Sequence, residues 1–192
     1  MNSLSTAGRE YFSIFIRYKK CYTPAMKLEK RFYTEHNSLF FLDGTECPVQ
    51  SEPLHTENGA LPDTLYLLSM GAACVELDWK QVGVDEESYN EAFLAALRES
   101  LKALETLQLY VFISPSAGQE SLDSQEAKDA FIASMSHCAR RIKDCASVVG
   151  FAVPPQLDAA QFMAELSRKH SHYVFFSRDE SLLASDEAIV RW

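Results

Sequence analysis

From residue 71 onward the apolar positions follow a repeating two-part pattern. Short, nearly continuous apolar runs alternate with longer segments whose apolar residues recur every three or four positions. The runs are Ala73-Cys74-Val75-Glu76-Leu77, Leu109-Tyr110-Val111-Phe112-Ile113, residues 147–153 and residues 173–176. Apolar runs bounded by turn signals read as strands covered on both faces, and the three-to-four spacing reads as amphipathic helices. Tyr89, Phe93, Leu97, Leu101, Leu104 and Leu107 form the stripe of a helix predicted over residues 85–107, with Asp85, Glu86 and Glu87 at its positive end. Ala127, Phe131, Met135, Cys138, Ile142 and Cys145 form the next stripe, in a helix predicted to start at Asp123 with Glu126 as its capping partner. Asp158 with Gln161 opens a third helix, and Ser177-Arg178-Asp179 turns into a fourth, before a last strand over residues 188–192.

The N-terminal third is less regular. A strand is predicted over residues 11–18 and another over 38–42, closed by Asp43-Gly44. Residues 45–63, with Pro48, Pro53 and Pro62, read as a long loop, and residues 61–70 as a short helix ended by Gly71. From residue 38 on, six strands are expected, near residues 40, 75, 111, 150, 174 and 190. The chain divides into an N-terminal segment, 1–37, and a βα-repeat domain, 38–192. A strand–helix–strand unit needs a right-handed crossover and a parallel sheet. The predicted fold is therefore α/β, a parallel sheet of repeated βα units, TIM-barrel-like and short of a complete barrel. An open doubly wound sheet is the alternative. The seven glycines form neither a GxGxxG fingerprint nor a phosphate-binding loop, so nucleotide sites of those kinds are not expected.

Charge narrows the partners. The net charge is −9, from 27 acidic and 18 basic residues, which argues against a general nucleic-acid or anionic-membrane binder. The basic cluster Arg17, Lys19, Lys20, Lys27, Lys30 and Arg31 reads as a solvated face. No apolar run reaches the roughly 18 residues of a membrane span, and the N-terminus lacks a signal-peptide core, so a cytoplasmic location is expected. Five cysteines, an odd number without a CxxC pair, read as free buried thiols.

Residues 71–79, with Val75, Leu77 and Trp79, resemble the second strand of cellulase-type glycoside hydrolases, in which a Gly-led strand ends near a Trp. Leu109-Tyr110-Val111-Phe112-Ile113 resembles the third strand of that family, Val148-Val149-Gly150-Phe151-Ala152-Val153 the fourth, and residues 38–44 the opening strand and turn. The resemblance covers residues 38–176 and implies a barrel of sugar-binding ancestry. The departures are informative. Glu76 stands where the family carries Arg, Ser114-Pro115 where it has His, and Pro154-Pro155-Gln156 where it has Asn-Glu-Pro. Glycoside hydrolysis needs two placed carboxyl groups, and neither is at its expected position.

In a parallel sheet, ligands meet the C-terminal strand ends. Those ends hold Glu76, Asp78 and Trp79; Ser114 and Ser116; Gln156 and Asp158; Ser177, Arg178 and Asp179. Glu76 and Asp78 are the candidate catalytic acids, and Trp79, Ser114, Gln156, Arg178 and Asp179 the candidate ligand contacts. A carboxylate within a buried strand needs a partner, and Arg178 is the one expected for Glu76. Asp158 and Asp123 are better explained as helix caps. His170 and His172 lack further ligands for a metal, Cys74 lacks a base, and Ser114 and Ser116 lack a nucleophile elbow, so neither metal nor cofactor is expected. Two functions remain. One is a non-catalytic protein that binds a carbohydrate or protein ligand on a barrel scaffold. The other is a hydrolase-type enzyme with an atypical site around Glu76, Asp78 and Arg178. An incomplete barrel exposes a strand edge, so a homo-oligomer or a protein partner is expected, with capping by the loop 45–63 or the segment 11–16 as the alternative.

Overall fold

The structure is a computed structural model that describes residues 29–62 and 71–192; the strand expected over residues 11–18 and most of the helix expected over 61–70 lie outside them. The elements run β1 (Phe32–Glu35), β2 (Ser38–Phe41), β3 (Leu54–His55), β4 (Ala72–Asp78), α1 (Trp79–Val82), α2 (Glu91–Thr106), β5 (Tyr110–Ser116), α3 (Gln125–Ile142), β6 (Val148–Ala152), α4 (Ala159–Ser167), β7 (Val174–Ser177), α5 (Glu180–Ser185) and β8 (Val190–Arg191).

Strands β3 to β8 form one parallel sheet in which neighbours in sequence are neighbours in space. A doubly wound sheet reverses its strand order at a switch point, and its helices cover both faces. Here the order of the described strands never reverses, and α1 to α5 all turn apolar side chains to the same face. That is the winding of a barrel wall. The six described strands fall short of the roughly eight that close such a wall, and β3 and β8 are the edges of the described sheet.

Alternation along β4 sorts the two sides. Ala73, Val75 and Leu77 face the helices, where Leu97 and Leu101 of α2 and Phe131, Met135 and Ile142 of α3 are fully buried. Ala72 and Cys74 face the concave side, where Phe112 and Phe176 stack with ring centroids 4.2 Å apart. Each such side chain contributes about 1.5–3 kcal/mol by leaving water. Arg98 of α2 grips Asp144 in the turn before β6 (Nη2–Oδ2 2.5 Å, Nε–Oδ1 3.2 Å), while Lys102 donates to the Asp144 carbonyl. These bonds set α2 against the end of α3.

Several expectations need correction. Residues 38–42 do not open the parallel sheet. β2 pairs antiparallel with β1 through the turn His36-Asn37, both at positive φ (49° and 59°), as a two-residue hairpin turn requires. The hairpin packs into the concave side: Phe32 and Leu39 are buried, and the rings of Phe32 and Phe41 lie 5.0 and 5.7 Å from Tyr110 at the start of β5. Its turn clasps the far edge of the sheet. Asn37 donates its side-chain amide to the carbonyls of Asp186 and Ile189, and its own carbonyl accepts from Arg191 N (2.9 Å).

The first strand of the sheet is instead β3, within the stretch expected to be a loop. Its two residues are held by backbone pairing to Val75 and Glu76, so no apolar run announces it. Helix α2 starts at Glu91, not at residue 85. Asp85 makes a turn of its own by accepting from Glu87 N and Ser88 N, and Asn90 caps the helix by accepting from Phe93 N. Ser124, not Asp123, caps α3, while Asp158 and Asp179 cap α4 and α5. β5 runs through Pro115 to Ser116 rather than stopping at Ser114.

His170, only 6% exposed, gives the fold a pH dependence. Burial first, then the neighbouring His172, Lys143, Arg140 and Lys169, push its pKa down to about 4. The unfolded chain binds this proton near pH 6.5 and the native chain only near 4, so native stability is full above 6.5 and falls as pH drops through that window. The expected loss is on the order of 2–3 kcal/mol. Urea unfolding at pH 7.5 and at pH 4.5 measures it, and a His170→Gln chain should lose less between the two; equal losses in both chains would rule His170 out as the source.

Candidate functional site

Parallel strands deliver their C-terminal ends to one rim, and the polar residues there converge on a cleft of about 350 Å³. Glu76 enters from β4, Ser114 and Ser116 from β5, Gln156 from the loop after β6, and Arg178 from the end of β7. Glu120, in the loop after β5, and Trp192, after β8, complete its polar and aromatic lining, and Pro53 closes one side.

An aromatic ladder connects the core to the cleft. Phe176 stacks on Phe112, Phe112 and Trp192 make a T-shaped contact (5.1 Å, 75°), and the guanidinium of Arg178 lies 3.8 Å above the Trp192 ring. Arg178 also donates from Nη2 to the Ser51 carbonyl (2.8 Å). That bond crosses the open side of the wall, from β7 to the segment before β3. The crossing is possible because this segment bulges. Val49 is opposite Ala72 and Leu54 opposite Val75, so five steps of this segment match three of β4, and Pro53, within the surplus, lines the cleft. Guanidinium over indole is a favourable pairing. With one edge also hydrogen-bonded, the Arg178 fork is held in place before any ligand arrives.

Across β3, β4 and β5, His55, Glu76 and Ser114 occupy one row of the sheet. Glu76 pairs with His55 (Oε2–Nδ1 3.7 Å), not with Arg178 as expected. The row does not make a nucleophilic triad, because the carboxylate stands between the imidazole and the hydroxyl, whereas the base must stand between the other two. Cys74, beside Ser114 on the concave face, has its thiol pushed up to about 12 by burial, which keeps it protonated and unreactive. Glu120 pairs with Lys80 (3.4 Å).

The remaining sequence candidates lie outside the cleft lining. Asp78 caps α1 by accepting from Lys80 N (2.8 Å), and its carboxylate packs against Gly118. Trp79 is buried on the helix side, where its indole N–H donates to Ser134 Oγ (3.0 Å) and its ring makes a T-shaped contact with Phe131. Asp179 caps α5 and Asp158 caps α4. Among the described residues no group of three His, Cys, Asp or Glu is placed to hold a metal ion, and no helix is long and apolar enough to cross a membrane. Trp192 and Glu120 were absent from the sequence-derived site. The rule of strand ends reaches Trp192, which follows β8 directly; Glu120 carries no local signal beyond lying in a loop after a strand.

No protein-family model matches the chain, and no curated protein matches it. Among solved structures, the chain is similar to the exo-beta-1,4-mannosidase Op5Man5 from Opitutaceae bacterium strain TAV5, with a TM-score of 0.48 and 14% sequence identity. The similarity covers 79% of this chain and 34% of that one, so the chain spans about a third of that protein's length.

Proposed function

We propose that the cleft binds a small hydroxyl-rich ligand of the carbohydrate class and holds it without hydrolysing it. The observation that carries this is the Arg178 guanidinium, held between Trp192 and the Ser51 carbonyl in a cleft that Glu76, Ser114, Ser116 and Gln156 also line. A sugar hydroxyl both donates and accepts. The cleft offers a donor-only fork, an acceptor-only carboxylate, two hydroxyls and an amide that do both. The side chains that would carry chemistry are poorly suited to it. A general acid in glycoside hydrolysis is a carboxyl group in an apolar pocket, whereas the Glu76 and Glu120 side chains are 33% and 42% exposed and each has a basic neighbour.

One observation favours the second reading, a hydrolase-type enzyme: Glu76 and Glu120 line the same cleft, and two carboxyl groups are what glycoside hydrolysis uses. Calorimetric titration with cellotetraose and mannotetraose separates the two. Binding is expected, weakened at least about tenfold by Arg178→Ala and by Glu76→Gln, equivalent to about 1.4 kcal/mol each, with no reducing sugar released. Absence of binding to any such oligosaccharide would sink the first reading. Release of reducing sugar that Glu76→Gln abolishes would establish the second.

A further inference from the structure

On the helix side of the sheet, α3, α4 and the turn after α4 enclose a second groove, of about 380 Å³, that shares no residue with the cleft. Ser136 and Arg140 line it from α3, Gln161 and Glu165 from α4, and Lys169 and His170 from the turn. Two buried polar atoms among these residues, Ser136 Oγ and His170 Nε2, have no hydrogen-bond partner. Buried polar groups in native proteins are nearly always satisfied, and these two belong to residues that line one hollow.

The charges select the missing partner. Those bearing on the His170 imidazole include Lys143, Arg140 and Lys169, all cationic. Two of the three acids lining the groove have partners of their own: Asp129 accepts from Gln125 and Gln161, and Glu165 pairs with Arg168 (3.2 Å); the third, Glu86, acts on Tyr89 and is the lining residue farthest in sequence from His170. Of the C-terminal carbonyls of α4, which disfavour an anion when free, Ala164 O accepts from Arg168 N and Leu166 O from His170 N. A neutral imidazole still offers one N–H, and the serine hydroxyl offers another donor.

We propose that the His170 end of this groove binds a small oxyanion group, phosphate or carboxylate, received by Arg140 and Lys169 and by the donors His170 Nε2 and Ser136 Oγ. Charge-assisted bonds to a guanidinium and an ammonium supply the affinity, and the two buried donors supply the geometry. The test is a titration of the whole protein at pH 7 with inorganic phosphate, with acetate, and with sodium chloride at matched ionic strength, read on the histidine side-chain nitrogen resonances. The expected result is a saturable shift of the His170 Nε2 resonance with phosphate or acetate, at a Kd of about 1 mM or tighter, and none with chloride. Saturation by phosphate alone assigns a phosphate group, and saturation by acetate as well assigns carboxylates too. Arg140→Gln and Lys169→Gln are each expected to weaken binding about tenfold. Equal responses to phosphate, acetate and chloride, or affinity unchanged in both variants, would overturn the proposal. If a variant loses its fold, the comparison of salts on the natural chain decides alone.

Discussion

Replacing Gly150 with alanine is expected to abolish the native fold. Gly150 sits in β6, opposite Val174 of β7. A Cβ there would lie 1.7 Å from the Val174 carbonyl oxygen and 2.7 Å from its nitrogen, distances no packing can accept. The obstacle is backbone rather than a side chain that could swing aside, so relief requires β6 and β7 to part. The strand is irregular on its other side as well. The pairing of β5 with β6 steps from Val111↔Val148 to Phe112↔Gly150, leaving Val149 as an extra residue. Such bulges kink a strand and turn its next residue. The expected loss exceeds about 4 kcal/mol, which approaches the whole stability of a domain at the low end of the roughly 5–15 kcal/mol range. Soluble yield and urea unfolding check it. A Gly150→Ala chain whose urea midpoint matches the natural protein would mean that the β6–β7 pairing is not as described.

Trp79→Ala is expected to cost about 3–5 kcal/mol. The indole is 5% exposed, meets Phe131 in a T-shaped contact, and donates to Ser134 Oγ, which in turn donates to the Gly83 carbonyl (2.8 Å). This relay joins α1 to α3 and fixes the chain where Gly83, at φ 109°, turns away from α1. Trp79→Phe should cost only about 1–2 kcal/mol, because Ser134 keeps its bond to Gly83 and loses only the indole donor. Both values come from urea unfolding. Oligosaccharide affinity of the folded Trp79→Phe chain should equal that of the natural protein. A variant of normal stability that no longer bound sugar would instead make Trp79 a ligand contact.

The strands from β4 to β7 were legible because a sheet covered on one face by helices and on the other by a packed concave interior demands apolar residues at successive positions. β3 was not legible because it consists of backbone pairing at two residues beside Pro53. The hairpin was half legible. Ser38 to Phe41 reads as a strand, but Phe32 to Glu35 lies between Arg31 and His36 and shows no long apolar run; the available signal was Asn37, a residue that tolerates positive φ, between two short aromatic segments. The acids before α2 misled because negative charge suits both a helix start and an Asp-led turn, and Asp85 takes the second role. At the rim, position alone placed Glu76, Ser114, Gln156 and Arg178 around one hollow. It could not tell that Asp78 and Asp179 spend their carboxylates on helix caps, or that Trp79, one step beyond the strand, turns to the other side of the sheet.

The clasp of Asn37 on Asp186, Ile189 and Arg191 joins points about 150 residues apart in the chain. A contact of such sequence separation cannot nucleate anything, since closing so long a loop of free chain sacrifices several kcal/mol of entropy for a few hydrogen bonds. The βα units need only local closures, each repaid by its own helix and strand, and they can assemble in sequence before the ends meet. Once the wall stands, it holds β8 close to the hairpin and most of that closure has already been made. The clasp is then a late step. It ties the opening and closing segments of the described fold into one cooperative unit, so that fraying at either end is resisted by the whole of the sheet between them.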